Sequence, residues 1–473
     1  MNIVFAAAEV APFSKAGGLA DVAGSLPSAL QRQGLSCQVI SPLYGSVDRV
    51  HHRIEAADIK GKVLLGKKTV PYVIFHSKPS GEDETQYWFV SNPTLFDRDG
   101  IYTDATGEGY ADNNQRFFFF QLVILDLISR KILSPDILHC NDHHTGLLPL
   151  LTKSLPQLRS VFTIHNFLYH GHFSDADKAL LPEGIRNKLT PTQWDNYSAL
   201  LEAITWSDAV NTVSPGYARE LMAGENVDEH SLSIIRNRPD GILGILNGID
   251  VNYWNPELDD LLPCNYSPTD RHGKKKNKRA LLEKLELQAD VDAPLFGSIS
   301  RLVENKGFAL IFESIEDFLA DGAAFVFLGS GDPVIAMQLQ DLLKKYPAQL
   351  AFYDGFNEKL AHLIEAGSDF FLMPSRVEPC GLNQLYSLQY GTIPIVNKTG
   401  GLGDSVEQWS AGQGTGFVFE PYLAIELRKS IELALKVFDD KEEWDRLISR
   451  AMEKDFSWAV SAKQYIELYT SWK

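Results

Sequence analysis

The chain has 473 residues, 44% of them hydrophobic and 22% charged, and its formal net charge is −17. That length exceeds one ordinary hydrophobic core and suits two large domains of a globular protein. The acidic balance excludes a broad surface for nucleic acid or an anionic membrane, is compatible with a neutral polymeric partner, and obliges any anionic ligand to find a local positive pocket.

In chain order, residues 2–8 form a short apolar run that meets Glu9 and has no leading basic residues. They read as a buried first strand, not as a signal peptide. Next comes Lys15-Ala16-Gly17-Gly18-Leu19, from which Leu19, Val22, Ala23, Leu26, Ala29 and Leu30 recur at helical spacing. Two glycines between a strand and a helix let backbone N–H groups approach a ligand, and the helix turns its positive end into the same corner. Lys15 adds a full charge, so the corner suits a phosphate. Plain packing is the alternative use of such a corner. Neither a dinucleotide fingerprint nor a P-loop is present.

Residues 36–41, 137–140 and 160–164 read as further strands of the first half, and residues 295–300, 324–328, 370–373 and 392–396 as strands of the second. Apolar strands alternating with helical patterns imply parallel sheets covered on both faces. Residues 95–114, rich in Asp, Gly, Tyr and Asn, fit a long surface loop. The run Phe117 to Phe120 reads as core. The basic run Lys274 to Arg279 reads as a solvated helix start. A domain boundary falls between Arg238 and Tyr253, near Asn247-Gly248-Ile249-Asp250. The cysteines Cys37, Cys140, Cys264 and Cys380 lack the spacing of a zinc site or disulfide framework and read as reduced thiols of a cytoplasmic protein. No segment is long and apolar enough to span a membrane.

Ligands of open parallel sheets bind beyond the carboxyl ends of strands. Polar and glycine-rich residues follow the expected strands repeatedly: Asn141-Asp142-His143-His144, His165-Asn166, Arg301 with Asn305-Lys306-Gly307, Gly329-Ser330-Gly331-Asp332, the stretch Ser375 to Leu382, and Thr399-Gly400-Gly401-Leu402. Each has a plainer reading. Asp142 can cap a helix, His165 can be a satisfied core histidine, and adjacent His143 and His144 lack the i, i+4 geometry of a helical zinc motif. Their shared placement after strands favours one common site.

Taken together, these strings resemble bacterial glycogen synthase and plant starch synthase, retaining glycosyltransferases of the GT-B type. The likeness runs through Lys15 to Leu19 with Asp21, Phe96-Asp97-Arg98, Thr163-Ile164-His165-Asn166, Thr212-Val213-Ser214-Pro215, Asn247-Gly248-Ile249-Asp250, Ser300-Arg301-Leu302, Glu378-Pro379-Cys380-Gly381-Leu382 and Thr399-Gly400-Gly401-Leu402. It implies an α/β fold of two doubly wound Rossmann-like domains facing a deep cleft. Residues 1–245 would form the acceptor and catalytic domain and 246–455 the nucleotide-sugar domain. Residues 456–473 would return as a helix to the first domain.

The resemblance implies transfer of glucose from ADP-glucose to the non-reducing 4-OH of an α-1,4-glucan such as glycogen, with retention. ADP-glucose is then a substrate, and no cofactor, metal, nucleic acid or membrane is expected. Arg301 and Lys306 would hold the diphosphate and stabilise its departure. Glu378 would face the glucosyl hydroxyls, with His165 and Asp142 beside the sugar. Lys15, Gly17, Gly18, Asp21, Asn166, Asn247, Cys380, Gly381, Leu382, Thr399, Gly400 and Gly401 would complete the substrate site, and Phe356 would meet the adenine. The chain departs from the family pattern at His143, at Leu201-Glu202-Ala203 in place of Lys-x-Gly, at Asn305 and at Asn397. These departures motivate a second expectation, a weakened glucan-binding homologue or a synthase with altered donor or acceptor preference.

Overall fold

The computed structural model describes residues 1–77 and 85–471. Their strands are β1 (Asn2–Ala6), β2 (Ser36–Pro42), β3 (Ile54–Leu65), β4 (Lys68–Ser77), β5 (Gln86–Ser91), β6 (Ile137–Asn141), β7 (Arg159–Ile164), β8 (His172–Phe173), β9 (Tyr197–Ser198), β10 (Ala209–Thr212), β11 (Leu243–Gly244), β12 (Leu295–Ile299), β13 (Ala324–Gly329), β14 (Leu350–Asp354), β15 (Phe370–Met373), β16 (Ile393–Asn397) and β17 (Phe417–Phe419). The chain divides into one unit of Met1–Gly248 with Trp458–Lys473 and a second of Ile249–Ser457.

The first unit is built on a nine-stranded sheet ordered β11-β10-β7-β6-β1-β2-β5-β4-β3. The central β1 and β6 are buried on both faces, which is why they read as mostly apolar runs and not as alternating ones. The helix Gly18–Arg32 buries Leu19, Val22, Ala23, Leu26, Ala29 and Leu30, the stripe seen in the sequence. Phe117 to Phe120 are all buried in the helix Asn113–Ser129. The sheet is parallel, as expected, except at one edge. β4 runs antiparallel to both β3 and β5. β3 alternates exposed and partly buried residues and leads through Gly66, at φ +62°, straight into β4. That is the signature of a half-solvated hairpin.

The last helix, Trp458–Thr470, belongs to the first unit and packs on the helix Gly18–Arg32. It supplies hydrogen bonds as well as apolar surface. Tyr469 Oη lies 2.7 Å from His139 Nδ1, and Asn211 Nδ2 donates to Tyr465 Oη at 3.1 Å. Burial pushes His139 down to about 3, so the ring stays neutral between Tyr469 and Thr163.

The second unit carries a six-stranded parallel sheet ordered β14-β13-β12-β15-β16-β17. Phe296 on β12 stacks between Phe325 and Phe370 of the flanking strands, with ring centroids 4.7 and 4.8 Å away. Neighbouring aromatics on one sheet face bury large areas and fix register. The basic run is solvated on one face only: Lys275, Lys276 and Arg279 are exposed, but its other face turns inward. Within the helix His272–Lys284, Lys274 and Lys278 are buried, one turn apart on the same face. Lys274 Nζ donates to Thr392 Oγ1 at 2.6 Å and to the Tyr390 carbonyl at 3.1 Å, and burial pushes its amine down to about 7. Lys278 pairs with Asp369 at 2.5 Å. Both lysines tie the helix to chain ends of the sheet instead of meeting solvent.

Candidate active site

In the first unit, the residues singled out in the sequence gather beyond the carboxyl ends of β1, β6 and β7. β1 leads into the segment with Glu9 and the glycines, and the helix Gly18–Arg32 follows directly. Lys15 is exposed and pairs with Asp21 at 2.6 Å. Gly17 was expected to offer its N–H to a ligand. Instead that N–H donates to Glu9 Oε2 at 3.0 Å, and the neighbouring Ala16 N–H donates to the same oxygen. Ala20 N–H donates to the Gly17 carbonyl at 3.2 Å, so the amides left for an anion in the helix's first turn are those of Gly18 and Leu19.

Asp142, after β6, sits at φ +54° and is buried. Its side chain caps no helix; Oδ1 accepts the His165 N–H at 2.8 Å. It therefore fixes the start of the loop after β7. Burial, opposed by these backbone hydrogen bonds and assisted by the nearby Glu9, pushes its carboxyl up to about 7. His165 is neutral, because burial pushes it down to about 3. Asn141 Nδ2 donates to the Ala6 carbonyl, so Asn141 Oδ1 faces His165 Nε2, 2.9 Å away. The proton therefore sits on Nε2, and Nδ1 is the ring's acceptor. Asn166 Oδ1 accepts the Leu168 N–H at 3.0 Å. Asn247 is buried and its Oδ1 has no partner among the described residues.

In the second unit, Arg301 follows β12 and is exposed. Lys306 and Glu378 meet: Nζ lies 2.5 Å from Oε2, with side chains 17% and 10% exposed. Ser375 Oγ donates to the same Oε2 at 2.9 Å. The loops carrying this pair are packed backbone to backbone. Gly307, at φ +81°, lets the Lys306 turn approach the Pro374 carbonyl so closely that a Cβ would come within 2.0 Å of it. Arg376 N–H donates to the Asn305 carbonyl at 2.8 Å, and Gly401 N–H to the Glu378 carbonyl at 3.1 Å. A Cβ on Gly400 or Gly401 would strike the backbone of Glu378 or Cys380 at 2.1 and 2.2 Å.

Gly381 turns the chain at φ +73°, and Leu382 is the N-cap of the helix Asn383–Tyr390 rather than its first residue. Thr399 is the N-cap of the helix Gly400–Ser405. Cys380 is buried. Phe356 stands apart. It follows edge strand β14, two strands from β12, and is 80% exposed.

The departures from the family pattern are placed as well. Leu201 and Ala203 are buried in the helix Ala199–Trp206, and Glu202 accepts from Thr190 N–H at 2.7 Å and Trp206 Nε1 at 2.9 Å. Asn397 Nδ2 donates to the Ser375 carbonyl at 2.9 Å, so it braces the Glu378 loop. Burial pushes His143 down to about 4 and His144 well below its usual value, leaving both neutral. Among the described residues no group of three or more His, Cys, Asp or Glu side chains is arranged to hold a metal ion.

Sequence reasoning missed Glu9, Tyr102 and Ser375. Tyr102 donates to Glu9 Oε1 at 3.2 Å and stacks on His144 at 4.7 Å. Their signal was weak: one carboxylate closing an apolar run, one tyrosine in a long loop, and one serine ahead of a motif.

The first unit thus supplies buried carboxylates and a neutral imidazole at its strand ends, groups suited to hydroxyl ligands, and the second supplies a cation–carboxylate pair at its own. Comparison with known proteins agrees. A family model described as starch synthase catalytic domain matches residues 2–234, and one described as glycosyl transferases group 1 matches residues 282–453. Glycogen synthase of Myxococcus xanthus is 40% identical over 99% of this chain and 99% of its own. That of Anaeromyxobacter sp. is 40% identical over 100% and 99%. The catalytic domain of starch synthase IV from Arabidopsis thaliana, bound to ADP and acarbose, superposes with a TM-score of 0.90 at 34% identity, over 99% of this chain and 98% of that one. Sucrose-phosphate synthase from Thermosynechococcus elongatus shares the fold at 13% identity, with a TM-score of 0.60 over 100% and 98%. On these matches the chain belongs to the glycogen and starch synthase family of GT-B glycosyltransferases.

Proposed function

We propose that this glycosyltransferase is a glycogen synthase that moves glucose from ADP-glucose to the non-reducing 4-OH of an α-1,4-glucan with retention of configuration, working in the cytoplasm without a resident cofactor. The observation that carries the reading is the Lys306–Glu378 pair, held at 2.5 Å on two interlocked loops beside exposed Arg301. Breaking the bond between glucose and the diphosphate places negative charge on the departing oxygen and positive charge on the sugar ring. Arg301 and Lys306 stabilise the first, and the Glu378 carboxylate faces the second. Ser375, Asn397 and the backbone of Gly401 hold that carboxylate in place.

In the first unit, His165 offers an unprotonated Nδ1 and Asp142 fixes the backbone on which it stands. Both suit hydrogen bonds to sugar hydroxyls. Retention is best served by front-face substitution, in which the departing phosphate oxygen takes the proton of the acceptor hydroxyl as that oxygen bonds to the anomeric carbon. The test is direct. Purified protein with glycogen should release one ADP per glucose added, and the new linkage should be α-1,4 by NMR. The same assay with UDP-glucose should run slower. Saturable glucan binding with no ADP release would favour the non-catalytic reading instead.

A further inference from the structure

We propose that Glu9 is a positioning residue of this enzyme: its buried carboxylate ties down the amides of Ala16 and Gly17 and so presents Lys15 and the first turn of the helix Gly18–Arg32 to the donor diphosphate. The inference rests on the donor reading above. Glu9 is only 3% exposed, yet it lies at the end of an apolar run with nothing in its own segment to satisfy it. All its partners come from elsewhere: Ala16 and Gly17 N–H on Oε2, and Tyr102 Oη on Oε1. Sequestering a carboxylate is costly, and such a group is retained where something else depends on its acceptors.

What depends on it here is the loop. Between Ser14 and Gly18 the chain is neither strand nor helix, and these two amides are its links to the strand it came from. Pro12 and Phe13 precede it in a tight turn closed by the Ser14 N–H to the Val10 carbonyl at 2.9 Å. Without Glu9, the segment from Lys15 to Gly17 keeps its two ends and the Lys15–Asp21 pair but loses the amide ties to the end of its own strand.

The groups that face the carboxylate from the packed elements are Tyr102 and Tyr44, with Asp21 and Asp142 as the neighbouring negative charges and Arg116 behind Tyr44. Burial, with Asp21 adding to it, pushes Glu9 up to about 7 against the two amides and Tyr102. The anion that forms above that pH makes the stronger, charge-assisted bonds to Ala16 and Gly17. Donor affinity therefore rises as pH climbs from about 6 to 8. ADP-glucose, a diphosphate esterified at both ends, has no ionisation of its own in that range.

Three variants test this through the KM for ADP-glucose, kcat and hydrogen exchange of the peptide spanning residues 10–20. Glu9→Ala removes the anchor, Glu9→Asp keeps the charge but falls one methylene short of the amides, and Glu9→Gln keeps an acceptor at full reach. The expected result is a KM raised about tenfold in Glu9→Ala and Glu9→Asp with kcat within about threefold of the parent, as for lost uniform binding. Glu9→Gln should restore KM to within about threefold and flatten its pH dependence, and exchange at residues 15–17 should quicken in the first two variants only. A KM within twofold of the parent in Glu9→Asp, or a Glu9→Gln as impaired as Glu9→Ala, overturns the proposal. Calorimetric titration of the parent with ADP separates the two layers. No ADP binding by the parent would overturn the donor reading, while the exchange measurement would still decide whether Glu9 anchors the loop.

Discussion

The Lys306 side chain pairs with Glu378 and with no other side chain among the described residues, and that makes it the clearest single-residue test of electrostatic catalysis. Lys306→Gln leaves an amide donor for the carboxylate while removing the charge. Loss of one preorganised stabiliser of a developing anion costs about 10²–10³ in kcat. We expect that fall in steady-state ADP release, with an unchanged circular dichroism spectrum. Lys274 tests stability instead. Because burial lowers its amine to about 7, the unfolded chain binds more protons between that pH and about 10, and this group's contribution to stability rises with pH there. Buried Glu365, pushed up to about 8, contributes the opposite slope below that value. Denaturant melts of the parent and Lys274→Met over pH 8–10 should therefore diverge, by at most about 1.4 kcal/mol per pH unit, with the parent gaining. Parallel curves would show that the amine titrates normally. Residues of this kind mark the limit of the sequence. Glycine-rich strings and Arg301 or Lys306 announce themselves by type and position. Glu9 does not, because its role appears only when a loop returns to it. Lys274 was hidden by its neighbours, since six polar residues in a row mask the i, i+4 spacing that places it with Lys278 on the inward face.

At the scale of elements, the site in the second unit depends on how tightly loops are wedged together. Gly307→Ala would impose both a positive φ and a Cβ 2.0 Å from the Pro374 carbonyl, so the Lys306 turn must move. A strain of about 1–3 kcal/mol is expected, with ADP affinity lost alongside it. Titration calorimetry and thermal melts would read both, and normal ADP affinity in this variant would show that the turn is not part of the site. The parallel strands β1, β2, β6, β7, β12, β13, β15 and β16 were legible because each is a short, mostly apolar run followed by polar or glycine-rich residues, whereas the short or outer strands β5, β10, β11, β14 and β17 were not singled out. The hairpin of β3 and β4 was not, because its residues are half solvated and charged, as loops are. The buried helix Ala199–Trp206 shows a related point. Where the family pattern leads one to expect Lys-x-Gly, this chain has apolar packing and a Glu202 carboxylate that braces the Thr190 segment.

At the scale of the whole molecule, each unit has its own interior, but only the second is built from one continuous stretch of chain. The first contains residues from both ends of the sequence. Removing residues 458–473 would strip the helix Gly18–Arg32 of apolar cover and leave His139 and Asn211 without their tyrosine partners. Unpaired buried polar groups cost about 1–3 kcal/mol each. A chain ending at residue 457 should therefore lose thermal stability in the first unit, expose probe-binding apolar surface, and leave the second unit's melt nearly unchanged. An intact first-unit transition would mean that the final helix is dispensable.

That arrangement also sets an order of events during synthesis. Domains usually fold as they leave the ribosome, the earlier one first. Here the unit begun first cannot close its interior until the helix Trp458–Thr470 has emerged, whereas residues 249–457 are complete beforehand. While residues 249–457 are being made, the glycine loop and its neighbours stand on a scaffold with one wall missing.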